Sequence, residues 1–288
     1  MAVTLLKSIL EASAKSGRQG FIRNMPRHCA VFMPRSSKLM VTFDHFGSVN
    51  SEPPRMPWGH KLAEEMGWSH LGNMTKQNDW FRHKDMFALY RELRQGKFFA
   101  DFEEVVFYGA SMGGYAACAF SIVHPGARVV AISPQTTLRQ SLVPFETRFP
   151  GGRKLGQWSG PWVDAAQTIK RAASVKLIYD PWWGADAAHA ARMTGRRVMH
   201  YHTPFMRHRV PQHFKAMGLM STVASRAIKG GLNPVKFRRL LRKRHRDPGY
   251  VRALLELAQA KGHGALVARV LDRADLPLSA QARAALAA

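Results

Sequence analysis

Residues 105–123 constrain this chain more than any other stretch. An apolar run, Val105-Val106-Phe107-Tyr108, leads into Gly109-Ala110-Ser111-Met112-Gly113-Gly114, and small and apolar residues follow from 115 to 123. The run reads as a buried strand and the small residues as a helix. Strand, Gly-x-Ser-x-Gly and helix in that order place a serine on a sharp strand-to-helix turn. At such a turn, side chains two residues before and after the serine would collide, which explains Gly109 and Gly113. The hydroxyl then stands above the sheet, and the helix N-terminus aims free N–H groups at any negative charge that develops beside it. The plainer reading of the same residues is a Gly-rich turn, one that holds a phosphate included.

With strand, motif and helix together, the chain resembles the α/β-hydrolase superfamily. The resemblance spans about residues 28–220 and implies a doubly wound, mostly parallel α/β sheet. It also implies a nucleophile at Ser111, with the triad partners following in the chain order Ser, Asp, His.

The strand candidates fit that expectation. Residues 28–33 and 38–43 read as two strands joined in a hairpin by Pro34-Arg35-Ser36-Ser37, and 67–71 as a third. Residues 128–133 are unbroken in apolar character, as buried parallel strands are, 174–180 reads as another strand, and 197–202 reads as the last strand. Helices are expected over 58–66, 82–94, 165–172 and 212–220. On the second of these, Met86, Leu89, Tyr90 and Leu93 share one face. Residues 134–162 form a polar and aromatic excursion, where the family carries a cap over the pocket.

The family places its acid just beyond the strand at 174–180. Asp180 and Asp186 both qualify, and Asp186 has the better loop length before it. A helix cap explains Asp186 equally, and a turn before Pro181 explains Asp180. The family's histidine lies in the loop after the last strand, where His208 stands, with His213 as the fallback. The oxyanion donors implied are the N–H of Met112 and one from the loop Asp44-His45-Phe46-Gly47, with His45 and Phe46 as the candidates. Trp80, Trp182 and Trp183 are candidates to line an apolar pocket. His200, His202 and His208 raise a metal site, but no carboxylate or cysteine nearby completes a ligand set. No metal and no cofactor is implied.

These residues predict a serine hydrolase cleaving an ester or thioester, on a small-molecule or saccharide-linked acyl substrate. The alternatives are an acyltransferase on the same triad and an inactive hydrolase-fold module that binds an anionic polymer. The two cysteines, Cys29 and Cys118, make no disulfide framework, and Cys118 reads as a small buried hydrophobe. No apolar run approaches the ~20 residues of a membrane span, and the N-terminus lacks a signal-peptide core, so the expected location is cytoplasmic. Leu5, Leu6, Ile9 and Leu10 follow helical spacing.

The net charge of +24 is uneven: +6 falls within residues 1–40, +7 within 41–209 and +11 within 210–288. Basic ends attract an anionic surface or polymer, although a composition biased toward Arg gives the same sum. The expected divisions are an N-terminal helix at 1–27, the hydrolase core at 28–220 and a basic C-terminal helical segment at 221–288. In that segment Pro234 opens a helix, and two further helices carry apolar stripes on Val251, Leu254, Leu255 and Ala258 and on Leu266, Val267, Val270 and Leu271.

Overall fold

A computed structural model describes residues 2–51, 55–273 and 276–287. Eight strands form one sheet in the order β1-β2-β4-β3-β5-β6-β7-β8. They are β1 (Phe21–Asn24), β2 (His28–Met33), β3 (Lys38–Phe43), β4 (Ser69–Thr75), β5 (Glu104–Ala110), β6 (Arg128–Ile132), β7 (Ser174–Tyr179) and β8 (Val198–His202). β1 and β2 run antiparallel to their neighbours, and every pairing from β4 to β8 is parallel. This order, with its helical crossovers, is that of the α/β-hydrolase fold.

The hairpin expected between 28–33 and 38–43 does not form. β4 lies between the two strands, antiparallel to β2 and parallel to β3. The four-residue link instead crosses the end of β4, where Ser69 holds it. Its hydroxyl accepts from the N–H groups of Arg35 (2.8 Å) and Ser36 (3.0 Å) and donates to the Ser36 carbonyl (2.7 Å). A strand buried at the centre of a sheet needs a partner on each side, and this exchange gives one to β4 and another to β3. β1 had no counterpart in the sequence reading; its four residues are half-buried to exposed and carry little apolar signal.

Helices cover both faces. On one side lie α1 (Ala2–Ser16), α2 (His60–Glu65), α8 (Val210–Ala216), α9 (Met220–Ile228) and α10 (Pro234–Leu240). On the other lie α3 (Lys84–Gln95), α4 (Met112–Phe120) and α6 (Ala165–Thr168). Successive residues of a strand face opposite ways. In β5, Val105 and Phe107 accordingly join the α3/α4 core, and Val106 and Tyr108 join the α2/α9 core. Met86, Leu89, Tyr90 and Leu93 are all buried on α3, as their spacing requires. α1 buries Ile9 and Ala12 against Val31 and Met33 and leaves Leu6 and Leu10 exposed, while the side chain of Leu5 lies outside the described residues. Cys118 is fully buried, and burial pushes its thiol up to about 12.

The excursion from 134 to 162 contains a single short helix, α5 (Pro150–Leu155), and α7 (Gly184–Ala191) follows β7. Packing does not pause at residue 220. Val223, Ala224, Ala227 and Ile228 of α9, and then Leu232, Phe237 and Leu241, bury against β5, β6 and β8 residues. A separate small core begins with α11 (Pro248–Ala260) and includes α12 (Gly264–Leu271) and α13 (Ala280–Ala287). α9, α10 and the residues just after each also present Arg226, Lys229, Lys236, Arg239 and Lys243 along one groove of about 650 Å³ whose lining holds no acid. No helix among the described residues is long and apolar enough to cross a membrane.

Candidate active site

Ser111 sits between β5 and α4 with φ 52° and ψ −119°, a strained conformation for a residue with a side chain. The neighbouring glycines make it feasible. A Cβ on Gly109 would lie 2.1 Å from the Gly113 carbonyl oxygen, and one on Gly113 would lie 2.5 Å from that of Phe43. Both clashes are with backbone, which cannot swing away. The turn is pinned from the sheet side by the Ser111 N–H, which donates to the Ile132 carbonyl at 2.8 Å.

The Ser111 hydroxyl is 2.8 Å from His208 Nε2, and His208 Nδ1 is 2.8 and 2.9 Å from the two oxygens of Asp186. The three side chains come from β5–α4, from the loop after β8 and from the first turn of α7. Asp186 is 1% exposed. With its Nδ1–H given to that carboxylate, His208 offers Nε2 as the acceptor for the serine proton.

Asp180 does not reach His208. Its oxygens accept from the backbone N–H groups of Trp182 (2.9 Å) and Arg207 (2.6 Å), one residue before the histidine. It fastens the histidine loop to the end of β7, and burial raises its carboxyl above the ordinary value despite those amide bonds. The loop it fastens is itself strained, with positive φ at Phe205 and Arg207. His213, the fallback, is paired with Asp247 and ties α8 to the cap of α11.

On the opposite side of Ser111, Phe46–Asn50 forms a short 3₁₀ turn with His45 as its cap. The His45 N–H donates to Ser48 Oγ (3.2 Å) and its Nδ1 accepts from the Gly47 N–H (3.1 Å). His45 is therefore set aside as an oxyanion donor, because its N–H is spent on the cap. Phe46 stands at the first position of that turn and Met112 at the first position of α4, where backbone N–H groups have no partner within the helix.

Behind Asp186 lies a buried polar chain that the sequence did not announce. Arg148 Nη1 donates to Asp186 (2.8 Å), and the rest of the guanidinium grips Glu146, with Nη2 at 2.6 Å and Nε at 3.0 and 3.2 Å. Glu146 Oε2 lies 3.1 Å from His189 Nε2. His189 Nδ1 accepts from the Thr136 N–H (3.1 Å), which leaves its proton on Nε2, facing Glu146. Burial works to raise the Glu146 carboxyl, but the bonds from His189 and Arg148 outweigh it and bring it down to about 2. The excursion is thus bolted to Asp186. Nothing in Glu146-Thr147-Arg148-Phe149 marks such a role, since the partners lie 38 and 43 residues further on.

The cleft above Ser111 holds about 480 Å³ and is lined by Phe46, Trp58, Ile132, Pro211, Gln212, Lys215 and Met220, among others. Phe149, 6.0 Å from the His208 ring, and Phe46 form an aromatic corner with Trp80 behind them. The tryptophans proposed for this pocket lie elsewhere. Trp80 is fully buried, with its N–H on Gln135 (2.9 Å), and Gly152 is the residue small enough to lie against its ring. Trp183 carries Arg207 over its ring, and Trp182 lines a different pocket. Trp58 is the tryptophan of the cleft. His200 and His202 do share a face, each within hydrogen-bond distance of the Tyr179 hydroxyl (3.1 and 3.3 Å). No set of three ligand-type side chains suited to a metal occurs among the described residues.

No family model matches the chain, and no curated protein matches its sequence. Solved structures resemble it in part. The capsule O-acetyltransferase of Neisseria meningitidis serogroup A aligns at 10% identity over 72% of this chain and 93% of its own, with TM-score 0.49. Carboxyl esterase 2 of Tuber melanosporum aligns at 14% identity over 77% of this chain and 86% of its own, with TM-score 0.46. A glycosylation-associated protein complex of Streptococcus agalactiae aligns at 13% identity over 74% of this chain and 47% of the other, with TM-score 0.49.

Proposed function

We propose that this α/β-hydrolase fold carries a serine hydrolase, one that cleaves a carboxylic ester or thioester through an acyl-enzyme. The observation that carries the reading is the unbroken hydrogen-bonded chain from Ser111 Oγ through His208 to Asp186. Ser111 attacks the carbonyl carbon as His208 Nε2 takes its proton. Asp186 keeps the ring oriented and balances the imidazolium that forms. The tetrahedral oxyanion is received by the N–H groups of Met112 and Phe46, and a single donor of this kind contributes about 3–4 kcal/mol to the transition state. His208 returns the proton to the leaving oxygen or sulfur. A water molecule, deprotonated by the same nitrogen, then releases the acid and frees Ser111.

The proposed test is covalent labelling with a fluorophosphonate, which reacts with an activated serine hydroxyl. The wild-type chain is expected to be labelled and Ser111→Ala, checked for native circular dichroism, to remain unlabelled. A folded wild type that resists both a large and a small fluorophosphonate would refute the reading. Supplying an acceptor alcohol to the labelled-active enzyme then separates transfer from hydrolysis by the product formed.

A further inference from the structure

A second pocket lies on the far side of the loop that carries His208, between the edge strand β8 and the helices α10 and α11. It holds about 420 Å³, within the range of small-molecule sites. Its lining combines two features. One is cationic: Arg238 and Arg244 face it, beside the imidazole rings of His200 and His202, and no Asp or Glu lines it. The other is aromatic: Trp182, Phe205 and Tyr250 line it as well.

Both features are left open to a ligand. Arg238 is exposed and makes no hydrogen bond or ion pair among the described residues. Arg244 spends Nε on the Tyr250 hydroxyl (3.0 Å) and lies over that ring, which fixes the direction of its fork. Trp182 is 73% exposed, an uncommon state for so large an apolar ring. Its backbone is held by Asp180 (2.9 Å), so the ring stands on a fixed base at the pocket. Phe205 packs edge-on to Tyr250 at 5.9 Å and closes the floor. A guanidinium matches the oxygens of a phosphate or carboxylate, and an open indole stacks on a flat ring.

We propose that this pocket binds a small anion that carries a flat ring, of the size and charge of a mononucleotide. The arginines take the anionic end and Trp182 takes the ring. The proposal is independent of the chemistry at Ser111, since no residue that lines this pocket lines that cleft.

Calorimetric titration of the full chain with AMP tests it, with adenosine and inorganic phosphate as the two halves of the probe. Saturable one-to-one binding of AMP is expected, with adenosine and phosphate each weaker by about tenfold or more. Arg238→Glu and Trp182→Ala, each verified by near-ultraviolet circular dichroism, are each expected to weaken AMP by about tenfold or more. Lys243→Glu, on the neighbouring basic groove, is expected to leave it unchanged. Absence of saturation up to about 5 mM AMP would overturn the proposal. So would equal binding by phosphate or adenosine, and so would a loss confined to one of the two pocket variants. An equal loss in Lys243→Glu would assign the binding to net charge instead.

Discussion

Glu146→Gln tests whether the buried chain behind Asp186 holds the molecule together as its geometry implies. Glu146 is 1% exposed and receives Arg148 on both oxygens and His189 on one. Its carboxyl is drawn from the ordinary 4.5 to about 2. Such a gap is on the order of 3 kcal/mol of folding free energy, an upper figure because Arg148 reaches solvent and its charge is partly screened. A carboxyl depressed by folding contributes fully above its unfolded value and loses the contribution as pH falls through its folded value. At about pH 3 roughly half of it or less remains. Glutamine keeps the shape and cannot titrate. Near pH 7 the variant is therefore expected to be up to about 3 kcal/mol less stable than wild type, at that limit a loss of about 6–12 °C in Tm for a chain of this size. By about pH 3 the difference should narrow to about half of that or less. Urea unfolding followed by circular dichroism at both pH values reads the two differences directly. A difference that stays constant with pH, or one below about 1 kcal/mol near neutrality, would refute the reasoning.

Four further substitutions separate roles at and around the site. Asp186→Asn is expected to lower kcat by about 10⁴ with the fold intact, because the amide imposes the wrong tautomer on His208. Asp180→Asn, whose oxygens cap the histidine loop, should act first on thermal stability and leave most of the turnover, as paired melting and steady-state assays would show. Phe46→Pro deletes one proposed oxyanion N–H at a first-turn position that tolerates proline, after a residue already extended (φ −91°, ψ 171°). It should cost about 10²–10³ in kcat with little change in KM. Gly113→Ala sets a methyl 2.5 Å from the Phe43 carbonyl oxygen and is expected to yield little folded protein, read as soluble yield and melting temperature.

Part of this protein is legible from its sequence, and the division has a physical cause. The elbow at Ser111 could be read directly because its requirements are local: two glycines, an apolar run before and small residues after specify a strained turn through contiguous backbone. The parallel core strands were legible for a similar reason, since burial on both faces writes itself as an unbroken apolar run. β1 escaped because a four-residue edge strand is held by backbone hydrogen bonds to β2 rather than by its side chains. The order of β2, β4 and β3 escaped because a short link fits either a hairpin or a crossing, and the choice was made by a strand beginning at Ser69.

The choice between Asp180 and Asp186 could only be made in space. Both stand after the same strand, and what separates them is the aim of two carboxylates, one at its own loop amides and one at an imidazole 22 residues on. The choice between His45 and Phe46 was equally open until the Ser48 hydroxyl took the His45 N–H. Arg148 and Glu146 carry no motif at all, because an ion-pair chain is assembled from groups that share a place and not a stretch of sequence. Local backbone strain and burial were therefore written along the chain, while the pairing of charges and the pockets between elements were decided only when the tertiary structure brought distant residues within a few ångströms.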